Sequence, residues 1–378
     1  MIKELCPKGV ERVKLGDCCA FQRGTSITST ETIPGNIPVI SGGLKPSYFH
    51  NKSNRTGDTI TVAGSGASSG FVDYWTTPIW VADAFTVEPN ELLNRRYVYF
   101  FLKNNQRQIY QFQKGAGVPH VHGRDLANLS IPLPPLSVQR EIVSALDSFT
   151  SLIDKMKQEV EMRKRQMEYY REKMMTFEEG ECEWKTLGRC ITNLRTGLNP
   201  RVHFKLNTPD ADGYYITVRE LKGFRIEPDE KTDRINKAAI QRINERSNLQ
   251  IGDILFSGTG TIGRTAYVDK LPNNWNIKEG IYALTPNKEI LNSIFLIHYF
   301  MSSRFMDKIM QRVDGAIVRS IPMAEFRNIL IPIPPLPVQR RIVATLDTFE
   351  TYITKMERLI ALRQKQYEYY RERLLTFA

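Results

Sequence analysis

Residues 131–177 and 331–377 carry one passage written twice, 200 positions apart. The first copy opens "IPLPPLSVQREIVSALDSF" and the second "IPIPPLPVQRRIVATLDTF"; aligned without a gap, 25 of 47 positions are identical. This internal duplication constrains the fold more than any single motif, because each copy must build the same element. The proline block removes amide donors and pushes each preceding residue to extended backbone, so it reads as a strand end or linker. Ser137 then suits a helix N-cap and Pro337 a first helical turn. Beyond them neither Gly nor Pro occurs until Gly180 in the first copy, nor through residue 378 in the second. That permits a helix of about 40 residues, about 60 Å long, in each copy.

The apolar spacing also reads as helix. In the first copy Ile142, Leu146, Phe149, Ile153, Met156 and Val160 alternate steps of four and three; Met167, Tyr170 and Met174 continue the series, with Arg163 in the missing place. Ile342, Leu346, Phe349, Ile353, Met356 and Ile360 repeat it in the second copy, with Arg363 in the same gap. A sustained period of 3.5 is a coiled-coil seam; the competing reading is two amphipathic helices, each packed on its own domain. Both helices have an end at the intervening segment, so if they pack together they run antiparallel. The expected product is a rod with a globular domain at each end and a pseudo-two-fold axis.

The globular segments repeat more faintly. "KLGDC" (14–18) returns as "TLGRC" (186–190), "GDTITVAGSGASSGFVDYW" (57–75) as "GDILFSGTGTIGRTAYVD" (252–269), and "QFQKGAGV" (111–118) as "QRVDGAIV" (311–318). "TITVAG", "WVADAFTVEP", "YYITVREL" and "DILFSG" read as strands. "RRYVYFFLKNNQRQIYQF" and "NSIFLIHYFMSSRFMDKIM" read as helices closing each domain.

Net charge is +11 with a sequence pI of about 9.3, and the charge is spread along the chain, which fits either a merely basic soluble protein or one with a polyanion partner such as nucleic acid. The longest apolar stretch, "IFLIHYFM", is too short to span a bilayer. The opening "MIKELCPKGVERVKLG" lacks a secretory h-region. Five cysteines without a CxxC fit a reducing cytoplasm better than disulfides or a zinc cluster. "GTGTIG" (258–263) matches a dinucleotide fingerprint, but "RTAYVD" after it reads as strand where the fingerprint needs a helix. It is therefore read as a glycine turn whose hydroxyls approach a nucleic-acid backbone or base edge. There is no P-loop Lys-Ser/Thr pair, and "PLPPL" and "PIPPL" lack the residues of an amino-methyltransferase motif. His120 and His122 lack a third metal ligand, so no metal site is assigned and they read as surface or DNA-facing. Tyr169–Tyr170 and Tyr369–Tyr370 read either as a binding patch or as helix-end packing.

Two dissimilar globular segments alternating with two copies of "IPxPPLxxQxxIxxxLDxF" resemble the specificity subunit of type I restriction-modification systems over essentially the whole chain. "LGD" near Gly16 and "GDILFSGTGTIG" match the look of its target-recognition domains, whereas "LGRC" departs from it and little chain follows the second helix. The resemblance implies an α+β fold: two target-recognition domains, each a mixed, mostly antiparallel sheet with helices. They are separated by two long helices packed as an antiparallel coiled coil with pseudo-two-fold symmetry. The boundaries expected are 1–130 for the first domain, 131–180 for linker and helix, 181–330 for the second domain and 331–378 for the second linker and helix. It implies a non-catalytic, cytoplasmic subunit. Each domain reads half of a bipartite, asymmetric target in double-stranded DNA, and the helices act as spacer and docking surface for two methyltransferase subunits, which restriction/translocase subunits join. No cofactor is expected in this chain; S-adenosylmethionine, ATP and Mg are expected on the partner subunits. The rivals are a coiled-coil adaptor with protein-binding end domains and a stand-alone DNA-modifying enzyme, the latter disfavoured by the missing motifs.

For DNA contact, basic residues neutralise phosphates or pair with guanine, and hydroxyls reach base edges. The residues chosen on that chemistry are Ser65, Ser68, Ser69, Lys114, His122 and Arg124 in the first domain. In the second they are Thr259, Thr261, Arg264, Arg312 and Arg319.

Overall fold

A computed structural model describes residues 9–115, 117–178, 180–313 and 319–377. Cys6 and most of the "QRVDGAIV" copy, 314–318, lie outside the described residues. The chain divides into two compact units, one of residues 1–158 with 357–378 and one of residues 159–356.

In the first unit a four-stranded antiparallel sheet runs in the order Cys19–Arg23, Ala84–Pro89, Thr59–Ala63, Val72–Trp75. Thr59–Ala63 is buried at every position, which is why this stretch reads as a continuous β-branched run rather than an alternation. A smaller sheet orders Tyr48–His50, Ile37–Ile40 and Trp80–Val81, the last two parallel. The helix Arg95–Asn104, capped by the Asn94 side chain on Tyr97 N–H, buries Tyr97, Val98, Phe100, Phe101 and Leu102.

The second unit repeats the topology. Its antiparallel sheet runs Ile191–Thr196, Ile281–Pro286, Ile254–Ser257, Thr265–Tyr267. Its smaller sheet orders Arg234–Ile235, Gly213–Ile216 and Trp275–Ile277, with the last pair again parallel. Asn292 caps the helix Ser293–Phe300 as Asn94 caps its counterpart.

Each proline block is a strand. Ser130–Pro132 pairs antiparallel with Arg12–Lys14, and Leu330–Ile333 with Glu183–Thr186. Each is one of two strands, so proline sits in an edge position where its missing donor does no harm. "LGDC" and "LGRC" both form one helical turn, Leu15–Cys18 and Leu187–Cys190. A Cβ on Gly16 would meet Ala127 Cβ at 3.0 Å, and one on Gly188 would meet Arg327 Cβ at 3.3 Å. Asp17 and Arg189 are both exposed, so the departure at "LGRC" changes the surface and not the turn.

The duplicated passages form the helices Leu136–Met174 and Leu336–Thr376. Both begin before the residue expected to cap the first: Ser137 lies inside the first turn, as Pro337 does. In the first unit Ile142, Leu146 and Ile153 share one core with Tyr97, Phe100 and Ile131 of the globular part and with Tyr367 and Leu375 of the second helix. Phe149 stacks on Tyr370 with ring centroids 5.6 Å apart. In the second unit Tyr170 stacks on Phe349, also at 5.6 Å, and Arg163 lies over the Tyr352 ring at 5.5 Å. Residue numbers rise on one helix as they fall on the other, so the pairing is antiparallel. The apolar row thus serves both readings at once, facing the other helix and the globular part. Met156, Val160, Ile342, Leu346 and Ile353 are buried, and Phe349, Met356 and Ile360 are half-buried. Of the tyrosine pairs, Tyr170 and Tyr370 stack on the opposite helix, while Tyr169 and Tyr369 are exposed and Tyr370 stays partly open to solvent.

A buried glutamine ties helix to domain in each unit. Gln139 Nε2 donates to Pro134 O and Leu92 O, and its Oε1 accepts from Asn94 N–H. Gln339 repeats all three bonds with Pro334 O, Ile290 O and Asn292 N–H.

Candidate nucleic-acid interface

In the first unit the chain leaves the central strand Thr59–Ala63 through a glycine turn. Gly64 N–H donates to Asp83 O, and Val121 N–H donates to Gly64 O at 3.0 Å. This lays residues 120–122 along the turn, with Ser65 bridged to His120 and His120 bridged to Lys114. The His120 and His122 rings stack, centroids 6.2 Å apart and planes 8° apart. The one-turn helix Gly123–Leu126 follows. A Cβ on Gly123 would fall 2.6 Å from Phe21 Cβ, so only glycine brings this turn so close to the sheet.

These elements enclose an open cleft of about 410 Å³, lined by Phe21, Arg23, Gly64, Asp83, Ala84, Phe85, His120, Val121, His122, Gly123 and Arg124. Four of these side chains are basic or imidazole and one is acidic. Asp125 braces the rim, accepting from Lys114 Nζ at 2.8 Å and from His122 N–H at 2.9 Å. Desolvation works to raise the Asp125 carboxyl, but these donors and the nearby Lys114 charge hold it below the usual range.

The second unit builds the same place from different residues. Gly258 N–H donates to Gly280 O, Ile321 N–H to Gly258 O, and Thr259 is bridged to Ser320. The strand Thr265–Tyr267 follows the "GTGTIG" turn, so no helix N-terminus is available there for a pyrophosphate. The cleft is larger, about 710 Å³, and its lining includes Asn199, Arg201, Thr217, Asp233, Arg246, Thr259, Lys278, Glu279 and Ser320. Arg246 Nη1 and Glu279 Oε1 are 3.5 Å apart, which leaves Arg201 and Lys278 as the cations not paired to a carboxylate within the lining.

Of the residues chosen from sequence, His122, Arg124 and Thr259 line these clefts. Ser65 adjoins the first through its hydroxyl, which donates to Asp83 Oδ2. Ser68 is half-buried at the glycine turn, and Lys114 is exposed with its ammonium on Asp125. Ser69 needs correction: it is fully buried and its Oγ has no hydrogen-bond partner, so its hydroxyl faces the core and not a ligand. Thr261 and Arg264 are exposed beside the second turn, where Thr261 O accepts from Ser257 Oγ and Arg264 N–H donates to it. Arg319 is exposed, with its carbonyl accepting from Gly260 N–H. Arg312 is half-buried past the helix Ser303–Met310, with its guanidinium donating to Lys308 O. The choice missed Arg23, Asp83, Arg201, Arg246 and Lys278. Asp83 sits inside the strand-like run "WVADAFTVEP" and Lys278 directly follows the strand Trp275–Ile277; aligning the two units strand by strand places both near the glycine turns. Among the described residues no group of three or more His, Cys, Asp or Glu side chains is placed to hold a metal. No helix among the described residues is long and apolar enough to cross a membrane.

The model of the type I restriction modification DNA specificity domain matches the chain twice, over residues 7–162 and 205–364. The EcoR124I/EcoR124II type I restriction enzyme specificity subunit of Escherichia coli is 32% identical over 373 residues, covering 90% of this chain and 87% of that one. The crystal structure of a type I restriction-modification S subunit from M. genitalium superposes with a TM-score of 0.62 at 16% identity, covering 97% of this chain and 96% of that one. A chain from a structural study of complex assembly and conformational transition of the type I R-M system gives a TM-score of 0.57 at 17% identity over 97% of this chain and 98% of its own. At these identities the two structures support the fold alone.

Proposed function

The chain belongs to the type I restriction modification DNA specificity family, and from that premise we propose that the cleft of each unit reads one half of a bipartite DNA target. As a specificity subunit the chain is the non-catalytic, sequence-reading part of its complex. What supports the assignment to the clefts is their correspondence: the same glycine turn, bridge and strand end build both, yet the side chains lining them differ. The helices beside them are near copies. A shared frame with divergent linings is what two readers of different short sequences need. Basic side chains at each cleft supply phosphate contacts, and groove-facing polar side chains supply base contacts.

The finer reading assigns residues 1–130 and 181–330 as the two target-recognition domains and 131–180 and 331–378 as linkers and helices. The helices set the distance between half-sites and present two equivalent faces for two methyltransferase subunits. Restriction/translocase subunits join that assembly, and it works in the cytoplasm.

The test is methylome sequencing of cells expressing the chain with its methyltransferase subunits. A bipartite methylated motif is expected. Exchanging residues 1–130 for those of a relative should change one half-site and leave the other intact. Change in both halves, or in neither, would refute the reading.

A further inference from the structure

Asp83 is the one carboxylate lining the first cleft, among Arg23, Arg124, His120 and His122. A carboxylate on a DNA-facing surface is repelled by phosphates, so it weakens the sequence-independent part of binding. What it adds is direction, as a hydrogen-bond acceptor without a donor. Ser65 Oγ donates to Asp83 Oδ2, which fixes the carboxylate plane. Oδ1 has no donor among the described residues. Asp83 is half-buried, immediately before the strand Ala84–Pro89.

The second unit gives the contrast. Strand pairing sets Ala63 opposite Ala84 in the first unit and Ser257 opposite Ile281 in the second. Asp83 therefore corresponds to Gly280, and Ser65 to Thr259. Gly280 has φ +87°, and a Cβ there would lie 2.8 Å from Thr259 Cβ and Oγ1. The acceptor is thus built into one cleft and barred from the other by backbone and packing.

Resting on the reading that these clefts face DNA, we propose that Asp83 is a specificity-determining residue that accepts a hydrogen bond from the exocyclic amino group of a cytosine in one half-site. Cytosine shows only its N4 amino donor in the major groove. Adenine sets the N7 acceptor beside its N6 donor, and guanine shows two acceptors; a carboxylate meets repulsion from both. An amide at the same position both donates and accepts, which matches adenine N7 and N6.

The test is selection from randomised duplexes by the full chain assembled with its methyltransferase subunits, with methylome sequencing in parallel. The wild-type complex should enrich a bipartite motif with a cytosine that Asp83→Asn exchanges for adenine at that one position. Binding of the original target should fall about tenfold, one tenfold step being about 1.4 kcal/mol. Ser65→Ala keeps the carboxylate but frees its plane, and should weaken the preference for cytosine without exchanging it for adenine. A wild-type complex that enriches no bipartite motif refutes the proposed function itself. If the wild type enriches one and Asp83→Asn and Asp83→Ala enrich the same motif unchanged, the assignment of Asp83 falls and the proposed function stands. An Asp83→Asn complex that fails to assemble, or that assembles and binds no duplex at all, also overturns the assignment, since losing one base contact removes discrimination and not non-specific binding.

Discussion

Replacing Gln139 with leucine tests the joint between helix and domain directly. Gln139 is fully buried. Its amide donates to Pro134 O at 2.9 Å and Leu92 O at 3.0 Å and accepts from Asn94 N–H at 2.7 Å. Leucine has nearly the same volume and no polar atom, so three buried backbone groups lose their partner together. An orphaned buried group costs about 1–3 kcal/mol. The two carbonyls keep a second lone pair for other donors, and leucine gains from leaving water, so the net loss should be about 3 kcal/mol. Urea denaturation of the full chain measures it, and hydrogen exchange at the Asn94 amide should accelerate in the same variant. Gln339→Leu should cost a similar amount, because Gln339 makes the same three bonds. Gln139→Glu should be worse than leucine, since it removes both donors and sets a charge against two carbonyls. A Gln139→Leu protein within about 0.5 kcal/mol of wild type, the usual range for a surface change, would refute the joint.

Two further outcomes are expected. His298 is fully buried with neither ring nitrogen hydrogen-bonded; burial first, then the nearby Arg171 charge, push it down from 6.5 to about 3. Its Nε2 lies 4.0 Å from Asp347 Oδ1, but an imidazole held neutral makes no ion pair there. The unfolded chain takes up this proton near pH 6.5 and the folded chain only near 3, so stability falls as pH drops between the two. The loss is about 2 kcal/mol at pH 5. His298→Phe should lack that part of the loss in denaturation series at pH 7 and 5, with Asp347, whose carboxyl burial raises, present in both proteins; equal slopes would refute the account. Ile153→Asp and Ile353→Asp each place a carboxylate at a buried seam position and should each cost about 2–5 kcal/mol, and the double variant should fail to assemble with the proposed methyltransferase subunits. Normal assembly of the double variant would overturn the seam.

The long helices were legible because their signal is local and repeated: a 3.5 period without Gly or Pro survives any tertiary context. The proline blocks were legible as extended chain, but not as half of a two-stranded pairing, because the partners Arg12–Lys14 and Glu183–Thr186 lie far off in sequence. The parallel pairs were hidden for the same reason: nothing near Ile37–Ile40 announces Trp80–Val81. Gln139 and Gln339 stood in plain sight as repeated residues, yet a buried polar clamp has no periodicity. At the site the glycine turns were found from composition. Ser69 went wrong because a hydroxyl in a glycine turn looks the same whether it faces core or solvent. Asp83, which lines the first cleft, was passed over because a search by positive charge does not pick out an acceptor.

The first unit draws its core from both ends of the sequence: Ile153 and the globular part share it with Tyr367 and Leu375. This orders events during synthesis. Everything up to residue 158 can leave the ribosome and still lack the helix face that covers Phe149 and Ile153. At 5–20 residues per second, the wait for Tyr367 is on the order of 10–40 s. The second unit, residues 159–356, has all its parts before the first is complete. A nascent or truncated chain therefore exposes an apolar helix stripe that a finished one conceals, and chaperones and proteases have a direct mark by which to tell them apart.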